Sequence, residues 1–176
     1  ADAEDLLIRL SITNRGPEEA AIDVLPSLWF RNTWSWGRDP RRPSLSLAAG
    51  KAPAILAQHG SLGSYALHFA NADEVLFTEN ETNARRFGLP DGPTSYFKDA
   101  FHDCVVSGRR EAVNPAGTGT KAAVRYHRMV KPGETVVLDL RLAAVADAKP
   151  LARPFANFEQ TLKQRRDEAD EFYNCV

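Results

Sequence analysis

Short runs in which apolar and polar residues alternate recur along most of the chain. The first, Leu6–Thr13, alternates from Ile8 onward, and a period of two is typical of a half-buried β-strand. Clusters of Gly, Pro, Asn and Asp separate the runs and favour turns. The predicted strands are Leu6–Thr13, Ala21–Phe30, Ser44–Leu47, Ala54–Gln58, Tyr65–Phe69, Glu74–Thr78, Ala100–Val106, Ala122–Val130 and Thr135–Ala143. Strands this short at such regular spacing indicate a β-sandwich or a β-barrel.

The first two predicted strands are expected to form a hairpin. The segment between them, Asn14–Pro17, contains Asn, Gly and Pro, which turns favour for distinct physical reasons. Pro26 lies inside the second strand. Because proline lacks the N–H that a ladder position needs, we expect Pro26 at a sheet edge or a bulge.

The last segment has a different period. Its apolar residues recur three and four positions apart among Glu, Lys, Gln and Arg, and they are Phe155, Phe158, Leu162, Ala169, Phe172 and Tyr173. This predicts one amphipathic helix from about Phe155 to Tyr173, which packs either on the sheet or on a second copy of the chain. We therefore assign residues 1–150 to a β-sandwich domain and 151–176 to a C-terminal helical segment.

Composition narrows the function classes. The 176 residues are 43% hydrophobic and 26% charged, which suits one domain with a packed core. A formal net charge of -1 provides no basic field, so we expect no nucleic-acid partner. No apolar stretch has membrane-spanning length, so we expect no membrane partner. The two cysteines, Cys104 and Cys175, are expected to be free thiols, which favours a reducing, cytoplasmic compartment.

All three tryptophans lie in the segment Trp29–Trp36. A sugar ring has an apolar face of C–H bonds and a polar rim, so aromatic planes beside Arg31 and Asn32 are suited to carbohydrate. The alternative is that Trp29 belongs to the core while Trp34 and Trp36 cover a domain interface, where aromatic residues are also enriched. Tryptophans are buried on average, which favours this alternative.

Two carboxylates invite a catalytic interpretation. Glu79 and Glu81 are two residues apart, so on an extended chain they share one face at about 7 Å. That separation lies inside the range of inverting glycosidases, but the acid and base must flank the bond from opposite sides. Asp99 and Asp103 meet a similar objection. A solvated or interface role is therefore the preferred interpretation of all four.

Other chemical motifs are missing from the sequence. The four histidines, His59, His68, His102 and His127, have no metal-ligand spacing, and neither cysteine has a second cysteine nearby. Gly117–Lys121 is glycine-rich but lacks the ending and spacing of a phosphate-binding loop. No Gly-x-Ser-x-Gly elbow is present. We expect no metal and no cofactor.

Six segments carry a resemblance to a known family. They are Leu7–Pro17, Leu25–Gly37, Leu76–Asn83, Lys98–His102, Ala112–Ala123 and Arg166–Tyr173. In these segments the chain resembles bacterial glucosidase-like proteins related to glycoside hydrolase family 63 and to the mannosylglycerate-hydrolase-like enzymes. The resemblance covers nearly the whole chain. Its most specific parts are the Trp-rich segment and Glu79–Asn83.

The resemblance implies a supersandwich-type antiparallel β-sandwich, all-β apart from one C-terminal helix, that precedes an (α/α)6 catalytic domain in the same parent chain. In such enzymes the toroid carries the acid and the base of an inverting hydrolysis, so no catalytic residue is assigned to this chain. The sandwich packs on the toroid and can lend loops to the sugar pocket. The candidate substrate-binding or domain-interface residues are Arg31, Asn32, Trp34, Trp36, Glu79, Asn80, Glu81, Asn83, Lys98, Asp99 and His102.

The expected function is that of a non-catalytic accessory domain of a glycoside hydrolase acting on α-linked glucosides or mannosides. The start at Ala1 and the stop at Val176 are those expected of a fragment. Two alternatives stay open, a free-standing carbohydrate-binding module and a structural or dimerising domain. Because a domain that normally abuts a partner exposes an apolar patch, we also expect the isolated chain to be a homodimer or a weakly associating monomer.

Overall fold

The structure is a computed structural model that describes residues 4–35, 37, 39–48, 52–88 and 96–175, with the backbone alone for Arg85. It contains ten strands and two α-helices within those ranges. The strands are β1 (Asp5–Thr13), β2 (Ala20–Val24), β3 (Ser27–Trp29), β4 (Ser44–Leu47), β5 (Ala54–His59), β6 (Gly63–Phe69), β7 (Glu74–Thr78), β8 (Thr118–Gly119), β9 (Lys121–Val130) and β10 (Thr135–Ala144). The helices are α1 (Ala100–Ser107) and α2 (Phe158–Asn174).

All strand pairs are antiparallel and form two sheets. The six-stranded sheet has the order β1-β10-β6-β5-β4-β8. In the four-stranded sheet β9 is central, with β7 on one edge and β2 followed by β3 on the other. Pro26 lies in the break between β2 and β3, and its carbonyl accepts a hydrogen bond from the Val124 N–H at 2.9 Å. The prediction of an edge position for Pro26 is confirmed.

The main core lies between the two sheets. Leu138 and Leu140 of β10 face it from the six-stranded sheet, while Phe77 and Tyr126 face it from the four-stranded sheet. All four side chains are buried, as the alternation along their strands requires. The prediction of an all-β antiparallel sandwich with a C-terminal helix is confirmed.

A second layer covers the other face of the four-stranded sheet, and here a sequence prediction was wrong. The segment predicted as a strand, Ala100–Val106, is helix α1. Its buried residues are Ala100, Phe101 and Cys104, which is the spacing of one helical face. They pack on Leu76 and Ala123 of the sheet. A short apolar run does not distinguish a strand from a buried helix by its pattern alone.

The predicted hairpin of the first two strands was also wrong, because β1 and β2 belong to different sheets. β1 pairs with β10, and β2 pairs with β9. Asn14 fixes the crossing between them. Its side-chain amide donates to the carbonyls of Glu18 at 2.7 Å and Val130 at 2.8 Å, and its Oδ1 accepts from the Gly16 N–H at 2.9 Å. The turn therefore passes the chain from one sheet to the other.

Helix α2 begins three residues later than predicted and is anchored only by its first turn. Phe158 is buried, and the Arg9 guanidinium lies 5.3 Å from the centre of its ring. Arg9 also pairs with Asp139 on β10 and with Glu159 on the helix. Further along α2 the side chains become exposed, with Phe172 64% and Tyr173 74% accessible. Only the start of the predicted apolar stripe packs on the sheet.

The segment between β10 and α2 is held on the outer face of the six-stranded sheet by two side chains. Arg141 pairs with Asp5 at 2.6 Å and donates to the carbonyl of Pro154 at 2.7 Å. His68, fully buried, accepts a hydrogen bond from the Leu151 N–H at its Nε2, 3.3 Å away. The His68 Nδ1 has no partner in the structure. The imidazole therefore supports this segment in its neutral form.

Both cysteines are free thiols in the structure, Cys104 buried and Cys175 exposed. In the part of the chain that the structure describes, neither helix is long and apolar enough to cross a lipid bilayer.

The sandwich core predicts unequal effects of two truncations on the same strand. Leu140 is 1% exposed, so Leu140→Ala is expected to lower the free energy of unfolding by about 2–5 kcal/mol. Val137 is 51% exposed, so Val137→Ala is the matched control and is expected to change it by less than about 0.5 kcal/mol. Urea unfolding measures both. Equal losses in the two variants would contradict the assignment of faces on β10.

His68 predicts a dependence of stability on pH. Burial and the nearby Arg141 guanidinium lower the pKa of His68, opposed by the Asp5 carboxylate. The unfolded chain therefore takes up a proton at about pH 6.5, where the native chain does not. Stability is then present above that pH and is lost as the pH falls, by at most about 1.4 kcal/mol per pH unit. Urea unfolding between pH 7 and pH 5 measures this slope.

The matched variant is His68→Leu, which removes the titrating group. It is expected to be less stable at pH 7, because the Leu151 N–H loses its acceptor, but to show a shallower slope with pH. An unchanged slope would assign the acid sensitivity to other groups.

Candidate functional site

Four separate segments meet at one end of the four-stranded sheet. Trp29 at the end of β3 and Thr78 at the end of β7 both pair with Lys121, the first residue of β9. The chain that follows each of these two strands therefore emerges at the same end of the sheet. Residues 96–98 join them, since the Glu79 N–H donates to the Tyr96 carbonyl at 2.9 Å.

Glu79 and Glu81 are joined there by one arginine. The Nη2 atom of Arg42 lies 2.8 Å from Oε2 of Glu79 and 3.3 Å from Oε1 of Glu81. The two contacted oxygens are therefore no more than about 6 Å apart. Both carboxylates are largely buried, with 17% and 11% of their side chains accessible, whereas 42% of the Arg42 side chain is accessible. The arginine thus closes the carboxylate pair from the solvent side.

The tryptophan loop is attached to the same carboxylates. Trp34 donates its indole N–H to Oε1 of Glu81 at 3.0 Å, and the guanidinium of Arg42 lies 5.8 Å from the centre of its ring. Asn32 donates its amide to the Asn80 carbonyl at 3.2 Å and accepts the Ser35 N–H at its Oδ1, 3.1 Å away. These contacts hold the indole of Trp34 in a single orientation, half-buried at the surface.

Buried hydrogen bonds fix the Glu79–Glu81 segment from below. Thr120 donates its hydroxyl to Oε2 of Glu79 at 2.7 Å and accepts the Asn80 N–H at 2.8 Å. The Asn80 amide donates to the carbonyl of Phe30 at 2.8 Å. Gly119 makes this packing possible, because a Cβ at that position would lie 2.3 Å from the Thr78 carbonyl oxygen.

A second cluster lies beside the first, around the start of α1. Lys98 donates its N–H to the Glu81 carbonyl at 3.0 Å, and its own carbonyl accepts from Nζ of Lys121 at 2.7 Å. The ammonium of Lys121 lies 4.8 Å from the centre of the Phe101 ring. Burial and the neighbouring Lys98 charge lower the pKa of Lys121, opposed by Asp99. The backbone of Lys98 thus connects the Lys121 ammonium to the Glu79–Glu81 segment.

Asp99 and Asn83 border this second cluster. Asp99 precedes α1 and pairs through Oδ2 with the Arg86 guanidinium at 2.8 Å. Its other oxygen, Oδ1, and the Oδ1 of Asn83 are buried without a partner in the structure. Buried acceptors without a donor are rare in native folds, so these two mark the least satisfied part of the site.

The other candidate residues from the sequence lie at the edge of the site or outside the described residues. Arg31 and His102 are exposed at the margins of the site, and Trp36 lies outside the described residues. Trp29 is 56% exposed, so the interpretation of Trp29 as a core residue was wrong. Alternation on β3 turns its neighbour Leu28 toward the core instead.

The sequence analysis missed Arg42 and Thr120. Arg42 lies just before β4, and Thr120 lies in the glycine-rich segment just before β9. The carboxylate pair could have indicated both residues. Two buried acidic side chains on one face need a cation and hydrogen-bond donors, so such partners had to be supplied by other segments.

This arrangement pairs two carboxylates with one guanidinium and orients an indole. Both contact the same guanidinium nitrogen, so they approach one point rather than opposite sides of a bond. Among the residues that the structure describes, no group of three or more His, Cys, Asp or Glu side chains is placed to hold a metal ion. The groups that the site exposes are the half-buried indole of Trp34 and the partly exposed guanidinium of Arg42.

Comparison with known proteins finds one distant similarity. No family model matches the chain, and no solved structure matches it. The chain is similar to the uncharacterized protein YMR196W of Saccharomyces cerevisiae, with 31% identity over an alignment 201 positions long, gaps included. The alignment covers 96% of this chain and 18% of the yeast protein, so the chain spans less than a fifth of that relative's length.

Arg42→Gln tests the ion-pair cluster. It removes the cation shared by Glu79 and Glu81, and it is expected to lower the free energy of unfolding by about 1–3 kcal/mol because two largely buried carboxylates lose their partner. The tryptophan emission should also shift as Trp34 loses the stacked guanidinium.

The control is the adjacent Arg41→Gln. Arg41 is 62% exposed and pairs only locally with Asp39, so stability and emission should both stay unchanged. Urea unfolding and fluorescence measure both variants. Equal behaviour of Arg41→Gln and Arg42→Gln would contradict a special role for Arg42.

Proposed function

We propose that the chain is the non-catalytic β-sandwich domain of an inverting glycoside hydrolase acting on α-glucosides or α-mannosides. Its role is to pack on an (α/α)6 catalytic domain of the same parent protein and to lend the tryptophan loop to the rim of the sugar pocket. The observation that carries this proposal is the cluster of Trp34, Arg42, Glu79 and Glu81, in which an indole is held rigidly at the surface.

Rigid presentation is what a pocket rim requires. A positioned indole offers a sugar ring its apolar face, and a partly exposed guanidinium offers hydroxyl groups a donor. Because Glu81 and Arg42 already fix Trp34, little side-chain freedom is lost when a ligand or a neighbouring domain covers it. Lys98 and Lys121 extend the polar surface on the adjoining side.

The length of the yeast relative supports the accessory role. The chain aligns with 18% of that protein, which leaves room for a separate domain that carries the chemistry. In the cluster described here, the two carboxylates meet on one arginine and not on opposite sides of a cleft. The proposal therefore places the acid and the base in another domain of the parent protein. It also places that parent protein in the cytoplasm.

A second candidate function is that of a structural or dimerising domain, and one observation favours it. Phe172 and Tyr173 are exposed at the end of α2, and their rings form an edge-to-face pair with centres 5.3 Å apart. Exposed apolar patches of this kind mark interaction surfaces. In the proposed parent protein, the same patch faces the catalytic domain.

Hydrolysis tests the proposed function. The 176-residue chain and the full-length protein that contains it are given the same panel of α-glucosides and α-mannosides. We expect activity in the full-length protein alone. Activity in the 176-residue chain, or none in either protein on any member of the panel, would overturn the proposal.

Trp34→Ala in the full-length protein then tests the contribution of the loop. It is expected to lower kcat/KM roughly tenfold, the loss that corresponds to one aromatic contact of about 1.4 kcal/mol. Met129→Ala, a truncation of an exposed side chain at the opposite end of β9 from Lys121, is the control for a general surface effect. Unchanged turnover and affinity in Trp34→Ala would remove the loop from the sugar pocket.

A further inference from the structure

A cleft opens between the two sheets, next to β3, and neither glutamate of the carboxylate pair lines it. It encloses about 250 Å³ and is lined chiefly by Trp29, Phe30, His59, Leu62 and Tyr65. Trp29 and Leu62 form its exposed rim, with 56% and 63% of each residue accessible. The volume is below the roughly 300–1,000 Å³ of pockets for drug-sized ligands, so the cleft is suited to a single ring.

The aromatic rings of the cleft are held by internal contacts. The ring centres of Phe30 and His59 are 5.3 Å apart. His59 Nδ1 accepts the N–H of Ser61 at 3.2 Å, so in the neutral ring Nε2 carries the proton and is a donor. The walls therefore combine aromatic faces with one fixed N–H donor.

A polar shelf continues from the cleft around the tip of the β5–β6 hairpin. The shelf is a second cavity of about 370 Å³ that shares His59 and Gly63 with the cleft. Arg42 of the carboxylate cluster also lines it, so the shelf adjoins that site. Ser44, Gln58 and Ser64 lie side by side on it, because Gln58 pairs with Ser44 on one neighbouring strand and with Ser64 on the other. They form a row of hydroxyl and amide groups across three strands.

Gly63 forms the saddle between the cleft and the shelf. A Cβ built on it would meet no atom within 4 Å, so the backbone there faces open space. The point between the two cavities therefore carries no side chain of its own.

We propose that the cleft and the shelf together bind an α-linked disaccharide unit, with one pyranose ring in the cleft and the next over the shelf. The apolar C–H face of the first ring stacks on the aromatic walls, and hydroxyl groups of the second ring bond to Gln58 and the two serines. The choice of sugar rests on the proposed function, and the binding site itself rests on the cavity geometry.

The two-cavity arrangement favours a sugar over an apolar side chain of a second copy. An apolar side chain would fill the cleft and leave the polar row unused. An α-linked disaccharide alternates apolar faces and hydroxyl rims, which matches an apolar cleft followed by a polar shelf.

The test is an NMR titration of the 176-residue chain with maltose and with methyl α-glucoside as the single-ring comparison. We expect backbone shifts in residues of the cleft and the shelf, and tighter binding of maltose than of methyl α-glucoside. Trp29→Ala should weaken both ligands roughly tenfold. Gln58→Ala should weaken maltose by roughly threefold to tenfold and leave methyl α-glucoside unchanged, because only the second ring contacts the shelf.

Tyr173→Ala is the matched control, an exposed aromatic side chain on α2 whose removal should leave both affinities unchanged. Because Trp29 and Gln58 are exposed, both variants should retain the circular dichroism of the parent chain. Maltose shifts confined to the surroundings of Trp34, or absent at saturating sugar, would overturn the inference. Cleft shifts caused by protein dilution alone would assign the cleft to a second copy.

The outcome is separable from the test of the proposed function. Hydrolysis by the full-length protein depends on a catalytic domain, whereas the titration measures binding by this chain alone. Maltose binding by this chain without hydrolysis by the full-length protein would support the sugar site and overturn the proposed hydrolase function. Hydrolysis without binding would support the hydrolase function and overturn the sugar site.

Discussion

Strand β9 is the element on which the other layers depend. It is paired along both edges, and both of its faces are covered, by the six-stranded sheet on one side and by α1 on the other. Residues 122–124 are therefore fully buried. Two of these three are alanines, and their small side chains let a sheet and a helix approach the strand closely from opposite directions. The candidate site is built where β9 begins, so its geometry follows from this packing.

The sequence predicted most strands but not how they pair. Period-two alternation is a local property, and it located β4, β7 and β10 closely. Pairing is decided by distant partners. Asn14 has the composition of a hairpin turn, yet its side chain bonds to the Val130 carbonyl on β9 and directs the chain into the other sheet. The strand prediction for Ala100–Val106 was wrong for a related reason. The residues that form its helical face are identified only by their packing on Leu76 and Ala123, which are distant in sequence.

The candidate site was predictable in part. The chemistry of the Trp-rich and Glu-rich segments singled out Trp34, Glu79 and Glu81, and the structure places them together. Arg42 could not be matched to them, because the loop that carries it has no periodicity and its partners are 37 and 39 residues away. The cleft beside Trp29 was also hidden from the sequence, since it forms between two sheets.

The pairing of β1 with β10 has a consequence for the kinetics of folding. Asp5 faces Ala143 and Thr13 faces Thr135, so the two strands are joined across most of the chain. Closing so long a loop lowers the conformational entropy of the chain before the strand contacts contribute favourable free energy. Folding rates therefore fall as contacts become less local. During synthesis β1 emerges before β10 and has no partner until β10 follows. Its exposed edge must stay unpaired during that interval, when it is most open to association with other chains.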